Sequence, residues 1–376
     1  KQKTAYEIGV RLVGSEMCIR DSACGALLTP IFVNAIGYQT RQPPFPRSTQ
    51  QDFSMVSPSP SGSLFAHGVP DPDHVPHRVL IARGEVHDTD RSGRVVPYKL
   101  YFPVAHGLSH LPVVIWSHGL GGSADGAAYL ARFLAGHGYV VLHPTHIGTD
   151  TSLWEGKPGH PWDIIRATPI SEQVTRARVE DIPFLIDSLG SIAQVQTGMD
   201  GKMDVERIGM SGHSFGAWTT QVIAGQKTAL GRGDARVRAA IAYSMMPSEE
   251  VETFGDPYGS IRIPLFCMTG TRDDTPMGGW GVERRMEVFD HSGAPETHLL
   301  VLEGGDHMVF AGSRGQLADY EAAHRHKEII RIGALAFWEA HLKGDDTSHE
   351  WLTGGGFAEW MGAAGRYAVR RTTGDS

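Results

Sequence analysis

Ser214 stands at the centre of Gly212-His213-Ser214-Phe215-Gly216, a G-x-S-x-G pattern. In a chain with 46 glycines these five residues alone carry little weight, and their setting carries more. A strand-like run, Arg207 to Ser211, precedes them, and an apolar helical stretch, Ala217 to Ala224, follows. A strand turning sharply into a helix holds the serine in a strained backbone conformation with its hydroxyl projecting, and leaves no room for a side chain at either glycine. A serine hydroxyl is a weak nucleophile at neutral pH, so it needs a base, and the base needs an acid to orient it. His307 is the candidate base; it follows the run Thr297 to Leu302 and then Gly304-Gly305-Asp306. Asp273 and Asp274 are the candidate acids, placed after the run Pro264 to Thr269 and Gly270-Thr271-Arg272. Neighbouring side chains on a turn point apart, so only one of the two can reach His307. The developing charge on a carbonyl oxygen needs donors as well. The backbone N–H of Phe215, just after the serine, is one; that of Leu120, within Ser117-His118-Gly119-Leu120-Gly121-Gly122, is the other by position. The implied chemistry is nucleophilic acyl transfer.

These residues must be carried by strands that end at one edge of a sheet. His77 to Val86 and Val95 to Pro103 alternate apolar and polar residues around a turn with Asp90, Ser92 and Gly93, the pattern of an antiparallel hairpin. Leu111 to Trp116 is a continuous apolar run, followed by the glycine-rich loop, a helical stretch Ala127 to Gly136 and a second buried run, Tyr139 to His143. Strand, helix and strand in that order predict a parallel crossover. A helix near Val174 to Leu189 follows, with Ile182, Leu185, Ile186 and Leu189 on one face; Pro183 either kinks it or marks its first turn. Further strands are predicted at Arg207 to Ser211, Val237 to Tyr243, Pro264 to Thr269 and Thr297 to Leu302, and a last helix at Ala323 to Leu342. The fold class is α/β: a doubly wound, mostly parallel sheet of about eight strands, helices on both faces, an antiparallel hairpin at the N-terminal side. Every candidate then lies just past the C-terminal end of a strand, where open α/β sheets place their chemistry. The connection Gly148 to Ser171, with Trp154 and Trp162, is long enough to be a binding loop or a mere ornament.

Composition excludes several classes. A net charge of −8 without a basic stripe disfavours nucleic acid as a partner. Three cysteines, Cys18, Cys24 and Cys267, with no CxxC and no Cys/His pair at zinc spacing, exclude a disulfide scaffold and the common zinc modules. The apolar stretch Ala23 to Val33 is broken by Pro30 and too short to span a bilayer, so no transmembrane segment is expected. Residues 1–22 resemble translated sequencing-adapter read-through and are read as non-native. Residues 23–76 are read as a tail and linker, with Ala23 to Ile36 either a signal-peptide remnant or a structureless tail, which leaves a secreted or periplasmic and a cytoplasmic location both open. The catalytic domain is placed at 77–345 and a C-terminal extension at 346–376, whose glycine-rich tail from Glu350 onward is expected to be partly disordered. Oligomeric state cannot be read from these features.

With these motifs in view, the chain from about 77 to 345 resembles the α/β-hydrolase superfamily, and Ser-His-Gly-Leu-Gly with Gly-His-Ser-Phe-Gly is similar to its platelet-activating-factor acetylhydrolase and dienelactone-hydrolase-like branches. The resemblance implies an α/β-hydrolase fold and hydrolysis of a carboxylic ester, small-molecule or lipid-like, through an acyl-serine intermediate, with no metal and no organic cofactor. Peptidases of the prolyl-oligopeptidase type carry a similar Gly-x-x-Asp-Asp in which the first aspartate serves, which favours Asp273; cutinase-type polyester hydrolases favour Asp274. The strand Val237 to Tyr243 is followed by Ser244-Met245-Met246-Pro247 with no carboxylate, unlike the plasma acetylhydrolase, and Ser214 replaces the cysteine of a dienelactone hydrolase. An amidase or peptidase using the same residues, and a non-catalytic binding protein descended from a hydrolase, are the alternatives.

Overall fold

The computed structural model describes residues 63–196, 198–278, 280–312 and 320–372. The readings made for residues 1–62 lie outside them. Chain order is β1 (Arg78–Asp88), β2 (Arg94–Val104), β3 (Leu111–Ser117), α1 (Ala128–Gly136), β4 (Val140–Pro144), α2 (Pro161–Ala167), α3 (Glu172–Val195), β5 (Met203–His213), α4 (Phe215–Ile223), β6 (Val237–Tyr243), α5 (Val251–Phe254), β7 (Leu265–Arg272), α6 (Val282–His291), β8 (Glu296–Asp306), α7 (Tyr320–Leu342), α8 (Asp346–Thr353), α9 (Gly356–Met361) and β9 (Gly365–Arg371). The described strands form one nine-stranded sheet in the order β1-β2-β4-β3-β5-β6-β7-β8-β9. Pairing is parallel from β4 through β8, whereas β1 with β2, β2 with β4 and β8 with β9 are antiparallel. The architecture is thus mixed α/β with a mostly parallel sheet.

Period-two alternation explains how one sheet serves two cores. Val114 and Trp116 of β3 join Ala239, Ile241 and Tyr243 of β6 under α1 and α7. Val113 and Ile115 point the other way, against Leu185 and Leu189 of α3 and Val222 of α4. Burial on both faces is why these strands read as unbroken apolar runs. Helix α3 begins where Ser171 caps it by accepting from the Val174 N–H. Pro183 lies well inside α3, so it marks no helix start, and its ring forgoes only the bond to the Val179 carbonyl.

Two expectations about the domain's limits are corrected. Residues 63–76, read as linker, fold against the C-terminal part of the chain: Phe65 is buried with its ring 4.7 Å from that of Trp351, and Ser63 Oγ donates to Asp345 at 2.6 Å. Residues 346–372 are not a loose tail. They supply α8, α9 and a ninth strand on β8, and Phe357 and Met361 are buried in the core under α7. Trp351, Phe357 and Trp360 are the apolar anchors that outweigh the glycines there.

Candidate active site

Ser214, Asp273 and His307 come from the ends of β5, β7 and β8 and meet at one edge of the sheet. Ser214 has φ 57° and ψ −117°, a region that L-residues avoid, as the tight strand-to-helix turn demands. The flanking glycines are obligatory. A Cβ on Gly212 would sit 2.3 Å from the Gly216 carbonyl oxygen, and one on Gly216 would sit 1.9 Å from that of Ser117. Both contacts are with backbone, which cannot swing away.

A hydrogen-bonded chain links the three side chains. His307 Nε2 lies 2.9 Å from Ser214 Oγ and His307 Nδ1 lies 2.8 Å from Asp273 Oδ1. An ionised carboxylate only accepts, so the ring proton sits on Nδ1 and leaves Nε2 free to accept from the serine. The structure joins Asp273, not Asp274, to the histidine. Asp273 is fully buried, whereas Asp274 is exposed and makes no hydrogen bond to His307.

The acid is held on every side. Thr269 Oγ1 donates to Asp273 Oδ2 at 2.8 Å, and Arg285 Nη2 lies 3.1 Å from Oδ1. Burial alone would raise the Asp273 carboxyl; the hydrogen bond from His307 and the charges of Arg285 and His307 outweigh it and hold the group below its ordinary range. Arg285 is itself fully buried on α6, its Nε donating to the Asp273 carbonyl and its Nη1 to the carbonyls of Ser244 and Met245 at 2.9 and 2.6 Å.

A second buried network underlies the loop that carries Leu120. Arg178 of α3 donates from Nε to Thr219 Oγ1, from Nη1 to Thr149 Oγ1 and from Nη2 to Ser117 Oγ, each at 2.8 Å, and also to the His118 carbonyl. Ser117 Oγ in turn meets His146 Nε2 at 3.0 Å, and His146 Nδ1 donates to Asp181 Oδ2 at 3.0 Å. His118 Nδ1 donates to the Gly119 carbonyl while its Nε2 accepts from the His146 N–H. Burial, with the Arg178 charge next, keeps His118 well below the ordinary histidine range and lowers His146 to about 4, so both rings are neutral links. His213 plays a similar part, its Nε2 donating to the His307 carbonyl at 2.7 Å. Among the described residues no acceptor takes the backbone N–H of Leu120 or of Phe215.

The long connection after β4 closes over the same loop. Gly121 donates to the Thr149 carbonyl at 2.8 Å, and Trp154 Nε1 donates back to the Gly121 carbonyl at 2.7 Å. Trp154, not Trp162 of α2, therefore braces the loop. Phe215 and Trp218 stack with ring centroids 5.5 Å apart. Cys267 is a buried free thiol whose pKa is raised by burial, an inert core residue. Sequence reasoning missed Arg178 and Arg285, because arginines on helices read as solvated. One signal was present: Arg178 lies one turn before Ile182 on the apolar stripe of α3. No family model and no curated protein matches this chain.

Proposed function

We propose that the chain is a serine hydrolase of the α/β-hydrolase fold that cleaves carboxylic esters. The observation that carries this reading is the unbroken relay from Ser214 Oγ through both nitrogens of His307 to the buried Asp273. The strand order and the placement of the serine turn after β5 support the fold assignment. In the reaction, Ser214 Oγ attacks the ester carbonyl carbon and its proton passes to His307 Nε2. The oxyanion is held by the N–H groups of Phe215 and Leu120, and Asp273 stabilises the imidazolium. Collapse of the tetrahedral intermediate breaks the carbon–oxygen bond to the alcohol, which takes the proton from Nε2. Water, deprotonated by the same nitrogen, then attacks the acyl-serine and releases the acid. Substrate is a small-molecule or lipid-like ester, and no step calls for a cofactor. Among the described residues no helix is long and apolar enough to cross a membrane.

The test is hydrolysis of p-nitrophenyl acetate, butyrate and decanoate by the protein beside Ser214→Ala. Turnover that disappears in the variant supports the reading, and the chain-length profile separates a small-ester site from a lipid-accepting one. A folded but inert wild type, or a fully active variant, overturns it. Faster cleavage of anilides than of esters would favour an amidase instead.

A further inference from the structure

At the far end of β8 from His307, four histidine and glutamate side chains converge on one point. Glu296 and His298, two residues apart, project from the same face of the strand. His341 reaches them from the last turn of α7 and His349 from α8. His298 Nε2 lies 2.8 Å from Glu296 Oε1, and His349 Nε2 lies 3.1 and 3.0 Å from Oε1 and Oε2. His341 Nε2 is 3.3 Å from Oε1. One donor atom each from Glu296, His298 and His341 lies within 4.8 Å of the other two.

A hydrogen-bonded cluster alone does not account for this arrangement. His341 Nε2 is buried, yet it makes no hydrogen bond to the carboxylate or to any other described residue. A buried ring nitrogen that stands 3.3 Å from a carboxylate oxygen without a well-formed hydrogen bond to it, beside another imidazole, is a position an ion would fill. Donors about 2.1 Å from a tetrahedral zinc stand about 3.4 Å from one another, close to the spacings around Glu296. The surroundings also suit a metal. His298 Nδ1 meets the Tyr367 hydroxyl on β9, which fixes the ring, and Arg371 Nε donates to Glu296 Oε2 at 3.0 Å, leaving Oε1 toward the rings.

From this geometry we infer that Glu296, His298 and His341 form a three-donor binding site for a zinc-class divalent cation, with His349 hydrogen-bonded to the Glu296 carboxylate beside it. The mixed imidazole and carboxylate set suits zinc, cobalt or nickel over calcium or magnesium, which prefer oxygen alone. The site lies about 30 Å along β8 from the reactive end, so its role is structural. It joins β8 to α7 and α8, the elements that cover the C-terminal side of the sheet. The absence of a zinc spacing in the sequence is understandable, since the pair on β8 and His341 on α7 are separated by more than forty residues and are brought together by the fold.

The experiment uses the full chain, stripped with chelator, dialysed and titrated with zinc or cobalt chloride. Expected are one bound zinc per chain, the visible absorption of tetrahedral cobalt(II), and a melting temperature that rises with zinc concentration. His341→Ala and the more conservative His341→Gln, both checked for native circular dichroism, should weaken zinc binding at least tenfold. His324→Ala, in the exposed group Asp73, His324 and Glu328, should leave it unchanged. The inference is overturned by a wild type that binds less than one equivalent, by His341 variants that bind as tightly as wild type, or by loss of binding in His324→Ala.

Discussion

Replacing Arg285 by glutamine removes a buried positive charge beside the imidazole that must act as base. Arg285 Nη2 lies 3.2 Å from His307 Nδ1 and 3.1 Å from Asp273 Oδ1. Since Nδ1 carries its proton toward Asp273, the guanidinium is a rival donor to the same oxygen, and it opposes protonation of the ring. A unit charge about 4 Å away at an effective dielectric of about 20 contributes about 4 kcal/mol, or about three pK units. The guanidinium is shared with Asp273 and water enters the vacated space, so about one unit is the expected net effect. The sign follows directly: without the cation the protonated ring is favoured, and the acidic limb of kcat/KM, which requires neutral His307, moves to higher pH. The assay is kcat/KM for p-nitrophenyl acetate from pH 5 to 9, with urea unfolding in parallel. The carbonyls of Asp273, Ser244 and Met245 lose their donor in the variant, at about 1–3 kcal/mol for each that stays dry, so the comparison is made where both proteins are folded. Arg285→Lys separates the two effects, because it keeps the charge and loses the fork. A limb that stays put in Arg285→Gln, or moves equally in Arg285→Lys, would falsify the electrostatic argument.

Other outcomes follow from the same geometry. Asp273→Asn should lower kcat/KM for the ester by about 10⁴, whereas the exposed Asp274→Asn should change it less than about threefold; equal effects would show the acid misassigned. Gly216→Ala places a Cβ 1.9 Å from the Ser117 carbonyl oxygen and should abolish activity together with a clear drop in thermal stability; a stable, active variant would mean the turn relaxes freely. Arg178→Met leaves Thr219, Thr149, Ser117 and the His118 carbonyl without a donor and should reduce unfolding free energy by at least about 3 kcal/mol, read from urea denaturation. Burial lowers His143 and His213 to about 3 and His146 to about 4, so the unfolded chain binds protons that the folded one refuses. Stability should therefore be full above about pH 6.5 and fall as pH drops toward 4; a urea midpoint unchanged between pH 7.5 and 4.5 would contradict the neutral assignment.

How much of this was visible in the sequence depended on where each interaction lies along the chain. Ser214, Asp273 and His307 each sit within a few residues of an apolar strand and beside glycines, so local pattern placed them although they are far apart in sequence. The choice between Asp273 and Asp274 was invisible, since it turns on which side chain of a turn faces inward. The edge strand β9, which falls in the stretch read as a partly disordered tail, is held by partners that no local window contains. Arg370 donates to the carbonyls of Phe289 and Ser292, and Arg371 pairs with Glu296. Phe65 likewise is one aromatic in a polar stretch, and only the presence of Trp351 makes it core.

The two buried arginines answer a common problem at this edge of the sheet. Where parallel strands end, their last carbonyls lose ladder partners while the departing loops exclude water. Those of His118 after β3, Ser244 and Met245 after β6 and Asp273 after β7 are in that position. A planar guanidinium offers five donors in a fixed fork and can satisfy several of them at once; a lysine offers three on one atom and cannot span them. The cost is a desolvated cation, and the two sites carry it differently. Arg285 shares its site with a carboxylate, Asp273. Arg178 bonds only neutral groups, its nearest acid acting through space, and burial lowers its pKa to about 9. Such an arrangement is a poor device for stability, since apolar side chains would fill the same volume at less cost. Its merit is positional: the Ser117–Leu120 loop is pressed within backbone contact of the strained serine turn, and only a directional, many-pointed donor fixes it there.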